Sequence, residues 1–199
     1  FSNLQILDIS DNFNMDPAVH LIASSKHLNN FEELYLRNTY LTIQSLYELV
    51  CSHNFSTVKR LDVSNNFAIK DDLAAAMIEK PFIRSLEMIN LENCDISNET
   101  IKRLSENTYL GNVKELDISN NPRIKVATLL EEIENTKFIH NLRRLCMANI
   151  GVTKALKDEM KAEFKLNVET EPMVSKDYSD YLHHVNAVHD PDASPTNNA

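Results

Sequence analysis

Three stretches of the chain are near copies: LDISDN at 7–12, LDVSNN at 61–66 and LDISNN at 116–121, starting 54 and then 55 residues apart. A chain that writes one apolar–polar alternation at a fixed interval builds one local unit again and again. A single such unit buries too little surface to stand alone, so the copies must stack and share a core. A looser pattern, apolar-x-x-Leu/Ile-x-apolar-x-x-(Asn/Cys/Thr), begins at Leu4, Phe31, Val58, Leu86, Val113 and Leu142, in steps of 27, 27, 28, 27 and 29 residues. The sixth copy departs at its last position, with Ile150.

Within each copy the period-2 alternation predicts a short strand, with its leucines inward and the intervening residues outward. Helix signals follow. Asp16-Pro17 reads as an N-cap with Pro at the first helical position, ahead of Val19, Leu21 and Ile22. Thr42, Asp71 or Asp72, Ser97 and Thr153 precede further apolar-periodic runs, and Val126–Glu134 is helical by Leu129, Leu130 and Ile133. Asp11, Asn38, Asn65, Asn93, Asn120 and Asn149 fall in one turn register, and Asn12, Thr39, Asn66, Cys94 and Asn121 in the next. Turn backbone needs side-chain partners there, so these residues are expected to be structural. Cys94 reads as a buried turn residue.

The pattern resembles the leucine-rich repeat. The 27–29-residue spacing and the alternation of two turn types look like the ribonuclease-inhibitor-like subfamily. One type carries S-N/D-N, and the other carries RNTYL, ENCDI or ANIGV, so the true unit is a pair of repeats. The resemblance covers residues 4 to about 168. It implies an α/β fold: a right-handed solenoid with a parallel β-sheet on its concave face and helices on its convex face. It also implies a non-catalytic protein–protein interaction module that binds its partner on the concave face. Members of this architecture include ribonuclease inhibitors, substrate receptors of ubiquitin ligases, innate-immune sensors and the activator of the Ran GTPase. An alternative role is therefore regulation of a partner enzyme, with Arg37 or Arg60 acting on its transition state. A third is the scaffold end of a larger protein.

The outward positions form three columns. The third positions are Ile6, Glu33, Arg60, Met88, Glu115 and Arg144; the fifth are Asp8, Tyr35, Asp62, Asn90, Asp117 and Cys146; the seventh are Ser10, Arg37, Ser64, Glu92, Ser119 and Ala148. Six acids against three bases leave this face at −3. Tyr and Arg are the usual anchors of protein interfaces. The candidate partner-binding set is accordingly Asp8, Tyr35, Arg37, Arg60, Asp62, Asn90, Glu92 and Asp117. The Asp of the shared string is expected to be solvated and without a structural duty, and Cys146 to be an exposed thiol.

Composition narrows the field. A net charge of −9 repels phosphate backbones, which argues against nucleic acid and for a protein partner with basic patches. Only two glycines in 199 residues argue against an all-β sandwich or a Gly-rich phosphate loop. No apolar run reaches the roughly 18 residues of a spanning helix, so no membrane partner is expected. Three distant cysteines, Cys51, Cys94 and Cys146, fit neither a disulfide framework nor a zinc site, and point to a reducing, cytoplasmic setting. No nucleophile elbow, Walker loop or HExxH motif is present, and His20, His27, His53 and His140 are dispersed, so no catalytic residue, cofactor or metal is expected.

Residues 1–170 read as one repeat domain of six repeats plus a cap, in which Phe164, Leu166 and Val168 alternate as a closing strand. Residues 171–199 read as a tail. Tyr178, Tyr181, Leu182, Val185 and Val188 share a helical stripe, and a disordered end follows. The chain opens at Phe1 in mid-pattern, so upstream repeats or a further domain are expected before it.

Overall fold

A computed structural model describes residues 3–28, 30–72, 76, 81–134 and 136–171. Residues 172–199, with the expected stripe, lie outside the described residues, as does most of the helix expected after Asp72.

Seven three-residue strands make one parallel sheet in chain order: β1 Ile6–Asp8, β2 Glu33–Tyr35, β3 Arg60–Asp62, β4 Met88–Asn90, β5 Glu115–Asp117, β6 Arg144–Cys146 and β7 Asn167–Glu169. The helices between them are α1 Asp16–Ser24, α2 Ile43–Cys51, α3 Asn98–Glu106, α4 Val126–Ile133, α5 Lys137–Asn141 and α6 Lys154–Phe164, with 3₁₀ turns at His53–Thr57 and Pro81–Ser85. This is the α/β stack of a leucine-rich-repeat fold.

Register is uniform. Leu7, Leu34, Leu61, Ile89, Leu116, Leu145 and Val168 stand side by side as the inward column. From Leu34 to Val168 that column is buried at 1% exposure or less, together with Leu36, Val63, Leu91 and Ile118 two residues further along. A slip of one residue would turn the whole column to solvent, and that penalty fixes the pairing. The closing strand forms only at Asn167–Glu169, as β7; Phe164 instead ends α6 and Lys165 turns the chain at φ 54°, with Phe164, Leu166 and Val168 all buried.

Helix starts follow the sequence with one shift. Thr42, Ser97 and Thr153 each cap a helix by accepting a backbone N–H, from Ser45, Glu99 and Leu156. Asp16 does not cap α1. Met15 holds the cap position without a side-chain bond, and Pro17 lies in the first turn. The Asp16 carboxylate instead accepts the Thr42 N–H of the next repeat at 3.0 Å.

The two turn registers do what their composition predicts. Asp11, Asn38, Asn65, Asn93, Asn120 and Asn149 all adopt φ between 51° and 59°. Asn and Asp tolerate that left-handed region better than other non-glycine residues. In the next register, Asn66 donates to the carbonyls of Leu36, Val63 and Ser64 and accepts the N–H groups of Thr39 and Leu41. Asn121 does the same for Leu91, Ile118, Ser119, Cys94 and Ile96. Each of these Asn side chains serves its own turn and that of the preceding repeat. The pairing of repeats read in the sequence is thus a physical clamp.

Candidate functional site

The three outward columns lie on one face of the sheet. Ile6, Glu33, Arg60, Met88, Glu115, Arg144 and Asn167 pair in one row, and Asp8, Tyr35, Asp62, Asn90, Asp117, Cys146 and Glu169 in the next. The strands therefore bring the eight candidate residues together, but at two depths. Asp8, Tyr35, Arg37, Arg60 and Glu92 are half-buried. Asp62, Asn90 and Asp117 are 7%, 4% and 0% exposed.

That depth corrects the expectation of a solvated Asp with no structural duty. The carboxylate folds back on its own turn. Oδ1 of Asp8, Asp62 and Asp117 accepts the N–H two residues on, from Ser10, Ser64 and Ser119, at 2.9, 2.9 and 2.8 Å. This closes an Asx turn at the strand's end. Asn90 does the same for Glu92 at 2.9 Å, so a neutral amide fills the role in the fourth repeat. Burial pushes the Asp62 carboxyl above the usual carboxylate range, although hydrogen bonds from Ser64 pull the other way. Burial also raises Glu92, against an Asn120 hydrogen bond, and the nearby Asp117 and Asp62 charges add to the rise.

The seventh column shows where the two repeat types fail to mesh. The Ser10 hydroxyl accepts the Arg37 N–H at 3.1 Å, and the Ser119 hydroxyl accepts the Ala148 N–H at 2.9 Å. The corresponding donor for Ser64 is the Glu92 N–H, which Asn90 has already taken. The Ser64 hydroxyl is left buried beside Asp62 without a partner of good geometry.

The half-exposed layer is a charged network with an aromatic centre. Tyr35 donates its hydroxyl to Glu33 Oε2 at 2.5 Å. Burial, with the Glu33 carboxylate beside it, raises the phenol above its ordinary value. Arg37 donates to Asp11 Oδ2 at 2.6 Å. Glu33 stands opposite Arg60 in the register, and Arg60 reaches Glu115 at 4.0 Å. Arg144 pairs with Glu115 at 3.7 Å and with Glu169 at 2.7 Å. Glu33, Glu115, Arg144 and Glu169 are thus members of the face that the candidate set omitted. The first three were readable from the same outward alternation, whereas Glu169 joins only because β7 extends the sheet.

Cys146 is the second correction. It is fully buried, packs against Met88, and lies 3.9 Å from Glu169 Oε2. Burial and the Asp117 and Glu169 carboxylates push its thiol up to about 12. Strand β7 covers this position, and a thiol held that high is a poor nucleophile. Cys94 is buried as expected and its thiol donates to the Val63 carbonyl at 3.2 Å. Among the described residues no group of three or more His, Cys, Asp or Glu side chains is placed to hold a metal ion, and no helix is long and apolar enough to cross a membrane. A cavity of about 420 Å³ lies between the ends of α3 and α5, lined by Ser105, Asn107, Lys137 and Phe138.

No family model matches the chain. No curated protein matches it. Among solved structures, it is similar to a tropomodulin C-terminal domain from Caenorhabditis elegans, with a TM-score of 0.49 and 15% identity, covering 93% of this chain and 91% of that one. It is also similar to a chain of the yeast Rad7–Elc1 complex, with a TM-score of 0.47 and 12% identity, covering 79% of this chain and 45% of that one. Likeness at this level carries no argument about what the chain binds.

Proposed function

We propose that the chain is a non-catalytic protein-interaction module that binds a protein partner on its sheet face, through Tyr35, Arg37, Arg60, Asp8 and Glu92. The observation that carries this reading is Tyr35. It is half-buried on a rigid sheet, tied to Glu33, and has charged neighbours of both signs. An aromatic ring whose rotamer is fixed in advance loses little entropy on binding, and charged neighbours set orientation and on-rate. Asp62, Asn90 and Asp117 lie beneath and hold the turns in shape. The alternation of two turn types supports a ribonuclease-inhibitor-like arrangement, and three free cysteines support a reducing, cytoplasmic location.

The test is affinity capture quantified by mass spectrometry. It compares wild type, a Tyr35→Ala/Arg60→Glu double variant and a helix-side control, Lys157→Glu. The face variant is expected to lose about tenfold or more of the captured partner, in line with a hot-spot loss of at least ~1.4 kcal/mol, with native circular dichroism. Equal capture by the face variant and the control sinks the assignment.

A further inference from the structure

One surface lies outside the sheet face. Five residues beyond the paired positions Asp8, Tyr35 and Asp62 stand Phe13, Tyr40 and Phe67. They occupy the same place in three consecutive strand-to-helix turns and are 73%, 61% and 59% exposed. The Phe13 and Tyr40 ring centroids are 5.3 Å apart. Large aromatic side chains in register on a soluble surface mark a contact site when nothing in their own chain covers them. Tyr40 also sits at φ 55°, where the equivalent residue of the sixth repeat is Gly151 at φ 88°. A bulky residue there costs about 1–2 kcal/mol of backbone strain, so folding alone favours glycine.

The row ends abruptly. The next positions are Asp95, Pro122 and Gly151. At that boundary the edge already holds an arginine. Arg123 Nη1 donates to the Asp95 carbonyl at 2.6 Å, and Nη2 to Asp71 Oδ2 at 2.8 Å. The turns carrying the row, 11–16, 37–42 and 65–72, contain Asp11, Asp16, Asp71 and Asp72 against Arg37 and Lys70; Arg37 is paired with Asp11 and Arg123 with Asp71, which leaves Asp16 and Asp72 against Lys70. The chain as a whole carries −9. Exposed ring faces in an acidic surround attract guanidinium groups, which stack on aromatics more readily than ammonium does.

We propose that Phe13, Tyr40 and Phe67 form a docking rail for an arginine-bearing extended segment of a protein partner. The partner's guanidinium groups continue along the edge that Arg123 begins. This rail is independent of the sheet face and adds a second contact surface on the adjoining edge.

The probe is a capped hexapeptide alternating serine and arginine, with lysine and glutamate counterparts, titrated calorimetrically into the full chain. The arginine peptide is expected to bind, the lysine peptide more weakly and the glutamate peptide not at all, with affinity falling as salt rises. Tyr40→Gly is expected to keep or raise the melting temperature while weakening the arginine peptide by about threefold to fivefold, the loss of one cation–π contact. The Phe13→Ser/Tyr40→Gly/Phe67→Ser triple variant is expected to lose binding, and Tyr47→Ser, an exposed aromatic on α2, to keep it. Three results overturn the proposal. One is unchanged arginine-peptide affinity in the folded triple variant. Another is equal binding of the arginine and glutamate peptides. The third is a concentration-dependent dimer of the wild type that the triple variant abolishes, which assigns the row to self-contact.

Discussion

The first repeat and the third carry nearly the same string, LDISDN and LDVSNN, yet they are different places. In the third, Leu61, Val63 and Asn66 are buried at 0–1% and Asp62 at 7%. In the first, Leu7, Asp8 and Ile9 are half-buried and Asn12 is exposed. Asn66 clamps two turns, whereas Asn12 donates only to its own, at the carbonyls of Ile9 and Ser10. The difference comes from neighbours. β3 has strands on both sides and β1, among the described residues, on one. In a stacked repeat a residue's energetic weight is set largely by the adjacent copies, because each copy contacts only its neighbours.

Substitutions paired across the two copies test this. The largest contrast is expected at the clamp. Asn66→Ala strands the Thr39 and Leu41 N–H groups in the core and should cost about 3–5 kcal/mol, whereas Asn12→Ala should cost under about 1 kcal/mol, both by urea denaturation. Next, Leu61→Ala empties a closed core position and should cost about 3 kcal/mol, with Leu7→Ala at about half that. Comparable losses in either pair would mean that the string itself, not its neighbours, sets the energy.

The smallest contrast is between two serines in inner copies of the string. Ser119→Ala deprives the buried Ala148 N–H of its acceptor and should cost about 1–2 kcal/mol. Ser64→Ala removes a hydroxyl that makes no hydrogen bond of good geometry and only lies beside the Asp62 carboxylate, and should cost no more than about 0.5 kcal/mol. Thermal melts of the two variants separate these outcomes.

The fold was legible because its signals are one-dimensional. Period-2 alternation fixes which residues face the core, the 27–29-residue spacing fixes the stacking, and Thr42, Ser97 and Thr153 announce three helices. Membership of the face was legible for the same reason. Depth was not. Outward alternation says that Asp62, Asp117 and Cys146 point away from the core. It does not say that a short carboxylate bends back onto the Ser64 and Ser119 N–H groups, or that β7 covers Cys146. Those outcomes depend on side-chain reach and on lateral neighbours 23–29 residues away in sequence, neither of which alternation encodes. The row of Phe13, Tyr40 and Phe67 was readable from spacing alone, but only once the strands were aligned.

The central claim is that the Asp of the inner copies builds the turn from inside the protein, at an electrostatic cost at Asp62, while the half-exposed layer around Tyr35 is proposed to do the recognising. The most direct test is the unfolding free energy of Asp62→Asn relative to wild type between pH 4 and pH 8. The asparagine keeps the bond from the Ser64 N–H, as Asn90 does in its own turn, and removes a buried charge while giving up the 3.3 Å bond from Asn90. The folded-state pKa of Asp62 is raised. Wild-type stability from this group is therefore fully present below its unfolded value near 3.8 and is lost as pH rises through the folded value. The variant should be more stable than wild type by about 1 kcal/mol at pH 7, with the advantage shrinking toward pH 4. A variant less stable than wild type at pH 7, with the gap narrowing toward acid, would mean that the ionised carboxylate stabilises the turn, and would contradict the claim.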